Sequence, residues 1–239
     1  KVAEGQTDRT LTAESEAAFS ILENRLQLNW ELTLNFRHGE REFFTLLIPA
    51  DYRVETVTGE NIRGWKTTSD GDQTKLNVEL LKAAAGTEQL TVRLWREHPL
   101  PENDAFSAIP APHIQVQDAA RHVGRLLVRR SRSLTVRLHQ QNGLNRIDND
   151  AVKRQPATEA PLGVSAFQAY EFNKIPYSLK LQVRRRSPRL TAEARFILRV
   201  AERERTVEGR ISLSVHNHPV YRARIQLPDE LNVKSVETS

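Results

Sequence analysis

Leu26, Leu28, Trp30, Leu32, Leu34 and Phe36 alternate with Gln27, Asn29, Glu31, Thr33 and Asn35. Successive side chains of a strand point to opposite faces, so a period of two predicts a strand with one buried and one wet face. That is the pattern of an antiparallel sheet covered on one side. Leu11, Ala13, Ala17, Phe19 and Ile21 carry the same period ahead of a turn at Glu23-Asn24. After a turn at Arg37-His38-Gly39-Glu40, Phe44, Leu46 and Ile48 predict a third strand, ended by Pro49, which cannot donate to a ladder. Tyr52, Val54 and Val57 follow, then a short strand at Trp65, then Leu76, Val78, Leu80 and Leu90, Val92, Leu94 on either side of Gly86. Ser69-Asp70-Gly71-Asp72 predicts a turn with positive φ at Gly71. Residues 9–96 thus hold about seven strands at the spacing of a β-sandwich.

Thr12–Glu23 taken alone also suits a helix, being rich in Ala, Glu and Leu. A second stretch decides against it. Leu11-Thr12-Ala13-Glu14 recurs as Leu190-Thr191-Ala192-Glu193, an offset of 179 residues. Without a gap, Glu23 then falls on Glu202, Leu34 on Leu213, Pro49 on Pro228, Val54 on Val233 and Val57 on Val236. In the second copy Leu190, Ala192, Phe196, Leu198 and Val200 alternate with Thr191, Glu193, Arg195 and Arg199, the period of a strand. The fold class expected is all-β, antiparallel and sandwich-type, with an internal repeat of 11–57 in 190–236.

His98–His113 holds Pro99, Pro101, Pro110 and Pro112 and little alternation, so it is expected to be a connection. Strands resume at Ile114–Val116, Val123–Val128, Leu134–Leu138, Ala166–Phe172 and Ser178–Val183, with irregular chain at Gly143–Gly163. These breaks predict a β-sandwich domain over 1–98, a Pro-rich connection over 99–113 and a second all-β domain over 114–239. Residues 189–239 are expected to complete their sheet by pairing with strands from 113–186.

Composition narrows the function classes. The net charge is +5, from 35 basic and 30 acidic residues, with both signs interspersed. A nucleic-acid surface usually gathers its Lys and Arg on one face. With no Cys there is no disulfide, thiolate metal site or cysteine nucleophile. No window approaches 18 apolar residues, so no helical membrane span is expected. The absence of Met and of a leader-like start suggests a segment of a longer polypeptide, whose anchor would lie outside it.

No nucleophile elbow, phosphate loop, dinucleotide fingerprint or zincin helix is present. His216-Asn217-His218 is the most metal-like feature, because i and i+2 on a strand share a face. A closed site needs further ligands; a polar turn before Pro219 explains the pair better, so no metal or cofactor is expected. Asp70-Gly71-Asp72 and Asp148-Asn149-Asp150 fit turns rather than calcium loops, lacking the ordered oxygens and final Glu. Arg125, Arg129, Arg130, Arg132 and Arg137, with Arg184, Arg185, Arg186 and Arg189, suggest weak nucleic-acid binding at most, since no aromatic interleaves 121–140. A solvated face with cross-strand Glu partners is the favoured reading, and no nucleic-acid partner is expected. Trp30 lies in the core register, whereas Trp65, Arg63 and Trp95 are the candidates for a ligand-binding edge, of the kind a carbohydrate would use.

Leu46–Gly59, followed by Gly64-Trp65, the Leu76–Leu80 strand and Gly143–Asp148, resembles a pattern of large, uncharacterised, β-rich envelope proteins of planctomycete-type bacteria. The resemblance implies an extracytoplasmic repeat segment and transfers no catalytic residue. The function expected is a non-catalytic structural or interaction module in the periplasm or cell envelope, with a protein or an envelope polymer as partner. A carbohydrate-binding or glycan-processing β-domain is the alternative.

Overall fold

The structure is a computed structural model. It describes residues 8–36, 40–101, 105–152, 161–186, 189–216 and 223–237, with the backbone alone at 8–10, 189 and 216. In chain order the strands are β1 (Asp8–Ile21), β2 (Arg25–Asn35), β3 (Arg41–Pro49), β4 (Arg53–Thr58), β5 (Ile62–Asp70), β6 (Gln73–Ala84), β7 (Thr87–Glu97) and β8 (Ser107–Pro110). They continue with β9 (Gln115–Val116), β10 (Ala119–Ser131), β11 (Leu134–Asn142), β12 (Asn145–Ile147), β13 (Val164–Phe172), β14 (Ser178–Arg185), β15 (Arg189–Val200) and β16 (Arg205–His216). A single 3-10 turn, Asn149–Ala151, is the one helical element among the described residues. The fold is all-β and sandwich-type.

A seven-stranded sheet runs β12-β13-β10-β1-β2-β7-β4, beside a four-stranded sheet β5-β6-β3-β9 and a three-stranded sheet β11-β14-β8. The alternation seen in the sequence sets the layers. Every second residue of β2 is buried. Its inward side chains share one core with Leu46 and Val78 of the four-stranded sheet and Val136 and Leu181 of the three-stranded sheet. The large sheet therefore packs one face against both smaller ones, and each inward Leu or Phe contributes about 1.5–3 kcal/mol over leaving it in water. On the other face a small cluster of Leu127, Val152 and Ala169 lies by the 3-10 turn.

Pairing is antiparallel throughout the described strands except between β1 and β10, which run parallel with Ser15 opposite Gly124. A Cβ at Gly124 would meet the Ser15 carbonyl oxygen at 2.3 Å and the Phe172 ring at 2.9 Å. Only glycine lets the two backbones come this close. Gly71 has φ +60° in the β5–β6 turn, as its position predicted.

Three expectations are corrected. The Pro-rich stretch 99–113 is not a boundary: β1 and β10, from either side of it, are neighbours in one sheet, and Lys1–Arg186 forms one compact unit. The sequence breaks mark changes of sheet, not of domain. Nor is 99–113 wholly a connection, since Ser107–Pro110 pairs with β14 as the edge strand β8, a place where proline is tolerated. Where 189–239 were expected to pair with strands of 113–186, the described strands of that stretch, β15 and β16, pair with each other along their length in a two-stranded sheet.

Ser187–Ser239 is the second compact unit. Its hairpin corresponds to β1–β2 pair for pair at the offset of 179: Thr12 faces Asn35 and Ile21 faces Leu26, while Thr191 faces Ser214 and Val200 faces Arg205. The Leu22 amide donates to the Arg25 carbonyl at 2.9 Å, and the Ala201 amide to the Glu204 carbonyl at 2.9 Å. The turns after the aligned prolines agree too, Tyr52 to Pro49 and Leu231 to Pro228, both at 3.1 Å. The match then stops. Residues 223–227 answer to Phe44–Ile48 of β3 but form no strand. β3 is held by β6 and β9, and the described part of the second unit contains no counterpart of either.

Candidate interaction surfaces

The ligand-edge candidates do not form one site. Trp65 stands on β5 of the four-stranded sheet with 37% of its surface exposed. Arg63, two residues before it, sends a guanidinium nitrogen to the Leu81 carbonyl oxygen at 3.4 Å. Trp95 stands on β7 of the seven-stranded sheet, between β2 and β4. Arg25 of β2 lies over its ring at 4.6 Å and Arg53 of β4 at 5.5 Å. Arg25 also pairs with Glu55 at 3.0 Å. The ring is taken up by guanidinium stacking from both neighbouring strands, which leaves no ready face for a sugar. Beside it Arg96 pairs with Asp51 and lies 5.1 Å from the centre of the Tyr52 ring. Burial lowers the pKa of Arg96 and raises that of Tyr52. This group clasps the β4 end of the sheet.

The one buried pair with the look of a nucleophile and base was not foreseen. Ser15 Oγ of β1 and His122 Nε2 of β10 lie 2.6 Å apart, both buried. The imidazole contacts Trp30 edge-on at 6.3 Å and Phe172 at 6.0 Å. Burial, with His113 adding to it, pushes its pKa down to about 4. Nδ1 has no hydrogen-bond partner, so no carboxylate orients the ring. A neutral, weakly basic imidazole sealed among aromatic rings ties β1 to β10; it does not present a hydroxyl to solvent. The readable signal was position, because His122, Gly124, Leu126 and Val128 form the inward register of β10.

The outer face of the seven-stranded sheet floors an open groove of about 970 Å³. Its charges are sorted by strand, with Glu14 and Glu16 on β1, Glu31 on β2 and Glu171 on β13 against Arg121 and Arg125 on β10. Arg125 reaches Glu16 at 3.6 Å. Among the described residues no three His, Asp or Glu side chains gather as metal ligands. The two aspartate stretches serve turns: Asp70 pairs with Lys75 at 2.8 Å, and Asp148 accepts from the Asp150 amide at 3.3 Å. His218 lies outside the described residues and His216 is described in backbone only.

The arginines do find aromatic platforms, from elsewhere in the chain. Arg137 of β11 and Arg184 of β14 lie over the Phe106 ring at 5.0 and 4.8 Å, and Arg130 over Phe167 at 5.6 Å. Arg130 also donates to the Leu134 carbonyl at 2.9 Å. The platforms come from residues far off in sequence, so a window around the arginines does not contain them.

The described residues of β15–β16 carry a run of exposed apolar side chains. Leu190, Phe196, Leu198, Val200, Val207 and Leu213 are all exposed. Their counterparts Leu11, Phe19, Ile21, Leu28 and Leu34 are buried to 1% or less; that of Phe196 is Ala17, also buried.

No protein-family model matches the chain, and no curated protein does. Among solved structures it is similar to an M1 zinc metallopeptidase from Deinococcus radiodurans, at 12% identity and a TM-score of 0.41 over 88% of this chain and 49% of that one. It is also similar to a non-cellulosomal cohesin from the hyperthermophilic archaeon Archaeoglobus fulgidus, at 13% identity and a TM-score of 0.30 over 50% of this chain and 91% of that one. The chain spans about half the length of the metallopeptidase, and we draw neither fold nor chemistry from either likeness. No helix among the described residues is long and apolar enough to cross a membrane.

Proposed function

We propose that the chain is a non-catalytic structural or interaction module of an extracytoplasmic protein. The observation that carries this is the unequal burial of two hairpins with one register: β1–β2 sits inside a finished sandwich, whereas β15–β16 presents its apolar face. A patch of that kind marks a surface made to be covered. The remaining polar groups favour the same reading, because the Ser15–His122 and Arg125–Glu16 pairs join neighbouring strands and the Arg25–Glu55 pair ties β2 to β4 across β7. The envelope location rests on the resemblance in Leu46–Gly59. The test is a glycan array read with the chain and with Trp65→Ala. No specific glycan is expected; a glycan bound by the chain and lost in the variant would replace this reading with a carbohydrate-binding one.

The Arg137–Phe106–Arg184 stack favours a second reading, binding of an anionic polymer by the three-stranded sheet. It predicts retention on polyphosphate that weakens steeply with salt and is lost in Arg137→Ala/Arg184→Ala. Absence of retention at low salt removes it.

A further inference from the structure

The exposed face of β15–β16 has a counterpart in the same chain, and the counterpart shows what covers such a face. β1 and β2 lie in mid-sheet, with β10 parallel along β1, β7 along β2, and β3 and β6 contributing to the core they enter. In the second hairpin β15 has β16 on one side and no other described strand.

Two details bear on what covers the hairpin: one shows that this face is built for an interior, and the other is a charge on the opposite face. Across the first hairpin Ala17 is opposite Trp30; across the second Phe196 is opposite Gly209. A Cβ on Gly209 would meet the Phe196 ring at 2.7 Å, so the ring lies over the glycine. Each pair supplies one aromatic ring to the same place from opposite strands, and in the first copy that place is fully enclosed, with Trp30 at 0% exposure. The second detail is charge. Where Glu16 of β1 faces Arg125 of β10, the matching residue of β15 is Arg195. The first unit's own β10 would set Arg against Arg there, and like charges on adjacent strands repel. An edge strand also presents free backbone donors and acceptors that another strand can take up and a lipid surface cannot.

We propose that β15–β16 takes the β layers of a second unit built like Lys1–Arg186, whose strand parallel to β15 carries a carboxylate where β10 carries Arg125. This rests on the reading of the chain as an interaction module and names its partner. A related unit with that carboxylate fits the hairpin better than a copy of this one.

The test appends residues 58–186 after Val236, the residue that answers to Val57, so that the added strands follow in register. Trypsin cleavage at Arg195, Arg199 and Arg210 is compared in the chain as it stands, in the extended chain, and in an extended chain whose appended copy carries Arg125→Glu. Extension is expected to slow cleavage at these sites by about tenfold or more, as closing an open segment does, and the Glu form to slow it further. Unchanged cleavage, including the case where the extension is itself degraded, overturns the proposal, as does better protection by the Arg form. Sedimentation of the unextended chain is the second measurement. A monomer with a labile hairpin is expected, and a dimer with a protected hairpin would give the face to a second copy instead. A specific glycan bound by the unextended chain would defeat the module reading while leaving these outcomes as they are.

Discussion

Two hairpins of this chain share register, turn and proline, and differ in almost everything that packing provides. β1–β2 and β15–β16 pair at the same relative positions and close with the same 2.9 Å turn bond. Yet Leu28 is fully buried and its counterpart Val207 is 44% exposed. Register is a local matter, set by the turn and by the alternation of apolar residues. Burial comes from other strands, and the free energy of the fold follows burial rather than register.

Breaking the comparison at its aromatic pair has the largest expected effect. Trp30→Ala empties the centre of the core and should lower stability by about 3–5 kcal/mol in urea denaturation. Phe196→Ala, on a residue 61% exposed, should stay within about 0.5 kcal/mol. Equal effects would mean that the second hairpin is packed.

Acid comes next. His122 titrates near 4 in the folded chain because burial disfavours its charge, against 6.5 when unfolded. A depressed pKa means that protonation favours the unfolded state. The stabilisation is complete above pH 6.5 and is lost as pH falls toward 4, by about 3 kcal/mol at 1.36 kcal/mol per unit. His122→Leu with Ser15→Ala, which removes both partners, should flatten that loss in a pH series of denaturation midpoints. An unchanged slope would locate acid sensitivity elsewhere, and the second unit offers no buried equivalent, since Ala194 stands where Ser15 does.

The glycines sharpen the contrast further. Gly124→Ala drives a Cβ into backbone across the parallel seam and should cost about 1–3 kcal/mol, as overpacking does. Gly209→Ala meets only the ring of Phe196, an exposed side chain free to turn away. It should leave the denaturation midpoint almost unmoved. Smallest of all is Trp65→Ala, expected within about 0.5 kcal/mol as for other exposed sites; a larger loss would show that Trp65 holds β5 rather than facing outward.

Much of this was legible in the sequence wherever one strand declares itself. The alternation in Leu26–Phe36 and the turn at Gly71 follow from local pattern, and the strand at Leu11–Ile21 follows once its copy at Leu190–Val200 is set beside it. What two distant strands do together was not legible. The parallel pairing of β1 with β10 depends on Gly124 meeting Ser15 across the seam between the two strands, and nothing near either residue announces it. Ser107–Pro110 became an edge strand because β14 offered a partner, against its own proline-rich composition. The Ser15–His122 bond and the Phe106 platform likewise join residues that only the fold brings together.

Hydrogen exchange of the 239-residue chain, resolved to single amides, tests the central contrast most directly. Amides paired between β1 and β2 should exchange only on global unfolding of the first unit, and those paired between β15 and β16 should exchange through local opening, orders of magnitude faster. Equal protection of the two hairpins would contradict the account, because it would show that the face of the second is already covered.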